Sequence, residues 1–237
     1  RSSSVRNSIG WQKRKTRSRQ LSNEIRLRSC RAAMASEARY PILADTSSLI
    51  AVANTNQWGR LKDAINLTTT NVCKHELQNH VNSNKYPPEG SREHYLKRGS
   101  QRVLEHLDED SSPWSCVTVV PRPHGPDAGE QSLKQELSEH GSSYQIVSIL
   151  DAAARQSIRR LIDDSGYDID VVGPPYLLYI LLDNDLIEKP EFCEATVGMI
   201  QTEGWTGYEV VKNAWTSIPV DCSGILDDEY DDVLPPE

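Results

Sequence analysis

The chain has 237 residues, of which 37% are hydrophobic and 6% aromatic, and this is enough for one substantial core. No run of 18 or more apolar residues occurs, which argues against a membrane-spanning helix and favours a soluble, cytoplasmic protein. The net charge of −8 is uneven, since residues 1–33 carry ten Lys or Arg and one acid, whereas residues 34–237 carry 16 bases and 33 acids. An acidic body with few lysines is typical of proteins from salt-rich cytoplasms and argues against nucleic-acid binding by bulk charge, so such binding requires a local site.

Composition along the chain predicts three regions. Residues 1–33 are rich in Arg and Ser and lack the apolar segment of a secretory signal. Three interpretations of this segment remain: a transit peptide, a basic arm or a translated upstream sequence. We favour the translated upstream sequence, because a regular pattern of elements starts only after Met34. Residues 34–217 are the expected folded domain, and residues 218–237 are an expected acidic, solvated tail. The five widely spaced cysteines predict reduced thiols rather than a disulfide framework or a zinc site.

From residue 34 onward, short β-rich runs alternate with helical patterns, which predicts a three-layer α/β/α fold around a mostly parallel sheet. The predicted strands are 42–45, 67–71, 115–120, 145–150 and 169–172. Helical patterns lie at 48–54, 59–65, 72–81, 91–107, 130–140 and 152–162. Two further helices are expected at the end, the first of them starting at Gly173-Pro174-Pro175. We expect the doubly wound strand order 3-2-1-4-5.

Two of the predicted strands end in a carboxylate that begins the next helix. The segment 42–48, ILADTSS, puts Asp45 at the carboxyl end of the first strand, where ligands bind in open α/β sheets. Asp45 is equally suited to be a helix N-cap, and the motif alone favours neither role. The segment 149–152, ILDA, repeats the arrangement with Asp151. In the expected strand order these two strands are neighbours, so Asp45 and Asp151 should flank the crevice at the switch point.

A glutamate follows the second predicted strand. Glu76 lies on the same helix face as Val72 and Asn79. Because Val72 is apolar, this placement suggests that the Glu76 side chain is partly buried. The alternative is a glutamate on the protein surface. His75 and His80 resemble the two histidine ligands of a zinc site. A spacing of five residues puts them about 140° apart on a helix, however, and this excludes a shared zinc ion.

A further acid follows a glycine turn at Asp127-Ala128-Gly129-Glu130, at the start of the next helix. The helix dipole favours an acid there whatever its function. Clustered carboxylates repel one another unless a cation compensates them, and hard oxygen ligands select Mg²⁺ or Mn²⁺. A group of acids at this sheet edge therefore implies a divalent ion.

The succession strand-Asp-Thr-Ser-Ser, helix-Glu, Asp-x-Gly-Glu-helix and strand-Asp-x-x-x-Arg resembles the PIN-domain ribonucleases over roughly residues 40–217. Carried over by position, the acidic quartet of that family falls on Asp45, Glu76, Glu130 and Asp151, and we prefer Glu130 to Asp127 because its helix position continues the family pattern. The resemblance implies a Mg²⁺- or Mn²⁺-dependent endoribonuclease acting on single-stranded or structured RNA. It also implies a homodimer and, as in toxin–antitoxin pairs, an antitoxin-like protein partner.

In this interpretation Asp45, Glu130 and Asp151 hold metal, and Glu76 is a further ligand or orients the attacking water. The four carboxylates should then converge within a few ångströms, roughly the span of a two-metal site.

Three neighbouring residues complete the predicted site. Thr46 and Ser47 would bind a metal-bound water or the scissile phosphate at a helix start. Arg155, one turn beyond Asp151, would approach a phosphate, or else lie on the helix surface paired with an acid.

Two other functions compete with the nuclease. An inactive PIN-like scaffold that binds RNA or a partner protein is one, because the family usually has paired aspartates where this chain has Asp151 alone. A phosphohydrolase of the haloacid-dehalogenase type is the other, but that class expects a second Asp at the position of Ser47.

Overall fold

Five parallel strands form one sheet in the order β3-β2-β1-β4-β5. The computed structural model describes residues 41–83, 86–202 and 218–222. The strands are β1 (Pro41–Ala44), β2 (Asn66–Thr70), β3 (Ser115–Val117), β4 (Ile146–Ser148) and β5 (Asp170–Val172). All five predicted strands are present and their predicted order is confirmed, although their ends differ from the predicted ones.

Eight α-helices connect or follow these strands in the described part of the chain. They are α1 (Thr46–Ala53), α2 (Trp58–Ala64), α3 (Asn71–Ser83), α4 (Arg92–Leu107), α5 (Ala128–His140), α6 (Ala152–Ser165), α7 (Pro175–Asp183) and α8 (Lys189–Thr202). The two helices expected at the end of the fold are α7 and α8, and Pro174-Pro175 begins the first of them, because proline is tolerated where a helix starts.

The sheet is covered on both faces, and each face has its own core. Side chains alternate along a strand, so Ile42 and Leu43 of β1 point to opposite faces. Ile42 packs in a core with residues of α1, α4, α7 and α8. Leu43 packs in a second core with Val147 and residues of α5 and α6. Burial on both faces explains why the strands are short apolar runs rather than alternating ones.

Two strand-terminal aspartates start helices, as their position predicted. Asp45 is the N-cap of α1 and accepts a 2.7 Å hydrogen bond from the Ser48 N–H. Asp151 is the N-cap of α6 and accepts a 2.7 Å bond from the Ala154 N–H. These bonds satisfy N–H groups that a helix cannot satisfy internally. Both carboxylates are thereby fixed at the carboxyl edge of the sheet.

The third strand is shorter than the predicted run 115–120. It ends at Val117, and the N–H of Val119 bonds the Asn71 side chain at 3.2 Å instead of a neighbouring strand. A side-chain acceptor therefore ends the ladder where the apolar pattern continues.

The prediction of reduced cysteines is wrong for one pair. Cys193 of α8 and Cys222 form a disulfide across 29 residues of sequence, and both are buried. Cys73 and Cys116 are free. The spacing gave no signal of this pair, because its two ends meet only once α8 has packed on the sheet.

Ile218 and Cys222, at the start of the expected tail, are buried in the first core. The predictions for residues 1–33 and 223–237 fall outside the described residues. No helix in the described ranges combines the length and apolar character needed to cross a membrane.

Candidate acidic site

Asp45 lies where β1 ends, beside β4. Its backbone N–H donates to the Ser148 carbonyl at 3.1 Å, which ties the two neighbouring strand ends together. The pKa of the Asp45 carboxyl is raised from 3.8 to about 6, mainly by burial and to a smaller extent by the charge of Glu76, while hydrogen bonds from Ser48 and from the backbone N–H of Leu150 offset part of the rise. Asp45 is thus the helix cap, one of the two roles that its motif left open, and its carboxyl lies in an environment that disfavours its charge.

Glu76 of α3 is half-buried and fixed from two sides. The Thr46 hydroxyl donates a 2.5 Å hydrogen bond to Glu76 Oε2. On the other side, a β-carbon added to Gly129 would lie 3.1 Å from both carboxylate oxygens. Glu76 therefore rests against the first turn of α5, where the positive end of the helix dipole favours a negative charge. This is not the surface glutamate that the sequence left as an alternative.

Asp151 is exposed, and Arg155 one turn later is buried. The Arg155 Nη1 donates to the Ile149 carbonyl at 2.9 Å and also to the Leu150 carbonyl. Burial lowers the pKa of Arg155, as does Arg159, whereas Asp151 and Asp45 raise it. Arg155 therefore lies close to both aspartates and holds the main chain between β4 and α6, rather than lying on the helix surface.

The backbone of Glu130 lies beside the acidic site, but its carboxylate is turned to another partner. It follows Gly129, which contacts Glu76, yet its Oε1 forms a 2.6 Å ion pair with Lys134 one turn along α5. Asp127, the alternative third acid, is exposed in a left-handed conformation with φ 61° and makes no side-chain cap bond. The structure thus brings Asp45 and Glu76 together, with Asp151 near through Arg155, and leaves Glu130 bound to its own helix.

Among the remaining predicted residues, Thr46 is buried and committed to Glu76, and Ser47 is exposed in the first turn of α1. Sequence reasoning missed Gly129 and Lys134. A glycine inside the first turn of a helix signals a close approach, and a lysine four residues after Glu130 signals an ion pair.

The donor set fits a divalent cation with few protein ligands. Across residues 41–83, 86–202 and 218–222, no three His, Cys, Asp or Glu side chains are arranged to hold a metal ion together. Asp45 and Glu76 do form a pair of hard oxygen donors, and the charge of Glu76 helps to raise the pKa of the Asp45 carboxyl. Mg²⁺ usually keeps several waters and takes one or two carboxylates, so this pair fits Mg²⁺ or Mn²⁺.

Comparison with known proteins adds one finding. A family model described as the halobacterial PIN domain matches residues 34–232. No curated protein and no solved structure gives a significant match. The match covers the whole sheet, both strand-terminal aspartates and Glu76, and it extends beyond residues 40–217, the range of the motifs that resemble PIN domains. The chain therefore belongs to the halobacterial PIN domain family.

Proposed function

We propose that this protein is a metal-dependent endoribonuclease that hydrolyses RNA phosphodiester bonds at the acidic site. The observation that carries the proposal is the Asp45 carboxyl, whose pKa burial raises to about 6 while Glu76 adds a second negative charge beside it. Such a pair at the switch point of a sheet is costly unless a cation compensates it. Membership of a family whose members are generally nucleases supports the same conclusion.

Asp45 and Glu76 would hold Mg²⁺ or Mn²⁺, with Asp151 and Glu130 as further oxygen donors. A bound divalent ion supplies Lewis-acid chemistry, because it lowers the pKa of a water and stabilises charge on the phosphate. Thr46 fixes one oxygen of Glu76 and leaves the other to bind a ligand or orient a water. Glu130 reaches the site only by releasing Lys134.

The scissile phosphate would lie between the starts of α1 and α6. Both helices begin at the carboxyl edge of the sheet, with Asp45 and Asp151 as their caps. First-turn N–H groups and the positive ends of the helix dipoles favour an anion there. Ser47 is exposed in the first turn of α1, and its hydroxyl is available to a phosphate oxygen.

The ion pair between Glu130 and Lys134 favours one alternative, an inactive scaffold that binds RNA or a partner protein. In that case the family's third acid has become a helix-surface residue, and Asp151, which is exposed, serves only as a cap.

The test uses the full chain with labelled single-stranded RNA and Mn²⁺ or Mg²⁺, at physiological and at high salt. Asp45→Asn keeps the cap but removes the charge, and Asp63→Asn, an exposed residue of α2, is the matched control. We expect cleavage by the wild type and Asp63→Asn, and none with EDTA or by Asp45→Asn. RNA left equally intact by all of them would contradict the nuclease and favour the scaffold.

Calorimetric titration of Mn²⁺ into the wild type and Asp45→Asn separates the ion from the chemistry. We expect binding to the wild type that is weakened in the variant. Equal binding by both proteins would remove Asp45 from the metal site.

A further inference from the structure

We propose that residues 118–127, the β3–α5 loop, form the surface that binds the RNA backbone beside the scissile phosphate, with Arg122 and His124 as its contacts. This inference rests on the proposed nuclease function and names where its single-stranded substrate is held. It follows from how the loop is anchored, how stiff it is and what charge it carries.

The β3–α5 loop is anchored to the two helices that enclose Glu76. At its start, the N–H of Val119 bonds the side chain of Asn71, the first residue of α3, at 3.2 Å. Next to it, the Val120 carbonyl accepts a 2.7 Å bond from Gln135 of α5. Because the loop leads directly into the first turn of α5, and that turn touches Glu76, the end of the loop lies beside the acidic site.

The composition of the β3–α5 loop limits its freedom. Pro121, Pro123 and Pro126 each fix one backbone φ angle. At its end, the Ala128 N–H bonds the Gly125 carbonyl at 3.3 Å, which closes a turn into α5. A segment that is already restrained loses less entropy on binding than a free loop of ten residues.

The β3–α5 loop carries one Arg and one Asp and is therefore formally neutral within a strongly acidic sequence. Residues 34–237 carry 16 bases and 33 acids, an excess of negative charge that disfavours RNA binding by bulk charge. Arg122 and His124 are exposed, and neither side chain has an ion pair within the described part of the chain. Glu130 is neutralised by Lys134, which leaves Asp127 as the acid of this loop. An available guanidinium beside an acidic site is therefore a local attraction for a phosphate.

The chemistry of the Arg122 and His124 side chains favours single-stranded RNA over a duplex. A guanidinium binds two phosphate oxygens in parallel. An exposed imidazole ring stacks on a base, which requires that the base is unpaired. A single-stranded segment offers both contacts at once, whereas a duplex hides its base faces.

The binding test uses the full chain carrying Asp45→Asn, which prevents cleavage, and a fluorescent single-stranded RNA of about 12 nucleotides, a length within the range of roughly 4–16 nucleotides that one OB fold binds in proteins specific for single strands. Fluorescence anisotropy is recorded over a series of salt concentrations for three proteins. They are Asp45→Asn alone, Asp45→Asn with Arg122→Ala, and Asp45→Asn with Arg160→Ala, where Arg160 is an exposed residue of α6. We expect Arg122→Ala to weaken binding about three- to tenfold and to lower the slope of log affinity against log salt by about 0.7. Arg160→Ala should change neither quantity.

The proposal would be overturned if the Arg122→Ala and Arg160→Ala variants had the same RNA affinity and the same salt slope, or if the protein did not bind RNA at all. His124→Ala gives a second check, with weaker binding to single-stranded RNA and an unchanged salt slope, because stacking releases no counterions.

A small substrate separates this proposal from the nuclease itself. Bis(p-nitrophenyl) phosphate is a phosphodiester without nucleobases or a neighbouring phosphate, so its hydrolysis by the wild type with Mn²⁺, and the loss of that hydrolysis in Asp45→Asn, tests the nuclease without RNA binding. If the wild type hydrolyses this diester but adding Arg122→Ala to the Asp45→Asn protein leaves RNA affinity unchanged, the nuclease stands and the binding surface fails. If the wild type hydrolyses neither diester nor RNA but binds RNA through Arg122, the nuclease fails and the binding surface stands.

Discussion

The Thr46 hydroxyl donates to Glu76 Oε2 at 2.5 Å and so connects the start of α1 to the middle of α3. Thr46→Val removes this donor while keeping the shape of the side chain, and it frees the Glu76 carboxylate to turn. We expect Mn²⁺ affinity or RNA cleavage to fall about 10- to 100-fold, as is common when a residue that orients a metal ligand is removed. Thr46→Ser restores the hydroxyl and should recover most of the activity, and failure of that rescue would contradict the orienting role.

Gly129 determines how closely Glu76 approaches α5. Gly129→Ala would put a β-carbon 3.1 Å from both carboxylate oxygens, so Glu76 must shift. We expect apparent Mn²⁺ affinity to fall by about tenfold, although alanine in a helix stabilises by up to about 1 kcal/mol. Gly59→Ala in α2, where a β-carbon meets nothing within 4 Å, is the control and should leave Mn²⁺ affinity unchanged.

Arg155 holds the main chain that precedes Asp151. Arg155→Met leaves the Ile149 and Leu150 carbonyls without this donor, and we expect the free energy of unfolding to fall by about 2 kcal/mol or more. Arg160→Met, at an exposed position, should stay within about 0.5 kcal/mol of the wild type. Urea denaturation measures both, and similar values for the two variants would show that the carbonyl bonds of Arg155 contribute nothing.

Asp45 should make the metal-free protein less stable as pH rises. Its folded-state pKa of about 6 lies above the ordinary 3.8, so the protonated form favours folding below about pH 4 and that advantage is lost through pH 6. Between pH 4 and 7 the wild type should lose on the order of 2 kcal/mol relative to Asp45→Asn. Thermal denaturation of both proteins in EDTA over this range measures the difference. Parallel stability curves would show that burial does not destabilise the Asp45 charge.

The disulfide should stabilise the end of the fold. The disulfide between Cys193 and Cys222 closes a loop of 29 residues. For a loop of this length, the lost entropy of the unfolded chain stabilises the folded state by about 3 to 4 kcal/mol. We expect Cys222→Ser to lower the melting temperature and to abolish its sensitivity to dithiothreitol. Cys116→Ser, at an exposed free thiol, is the control and should melt like the wild type. If dithiothreitol leaves the wild type unchanged, this bond makes no contribution.

The fold was predictable because each element carries a local signal. Apolar runs such as the one ending at Asp45, alternating with helical patterns, are typical of buried strands between helices, and 3-2-1-4-5 is one of the doubly wound orders that such connections allow. Strand ends were less predictable, since β3 stops where Asn71 captures a backbone N–H.

For the candidate site, the positions of several side chains were predictable from the sequence, but their contacts were not. Asp45, Glu76 and Asp151 reach one sheet edge because strand order places them there. Glu130 has an equally good partner four residues away in Lys134, and the pattern does not decide between a local ion pair and a shared site. The burial of Arg155 likewise depends on carbonyls that only the folded loop presents.

The capping roles of Asp45 and Asp151 have a consequence for reading related chains. A relative that had lost catalysis would still be under pressure to keep both aspartates, because each begins a helix, and an alanine there costs about 1 kcal/mol of stability. Glu76 lies within α3 and caps nothing. Loss of the acid at that position, rather than at Asp45, would therefore be the earlier mark of an inactive lineage.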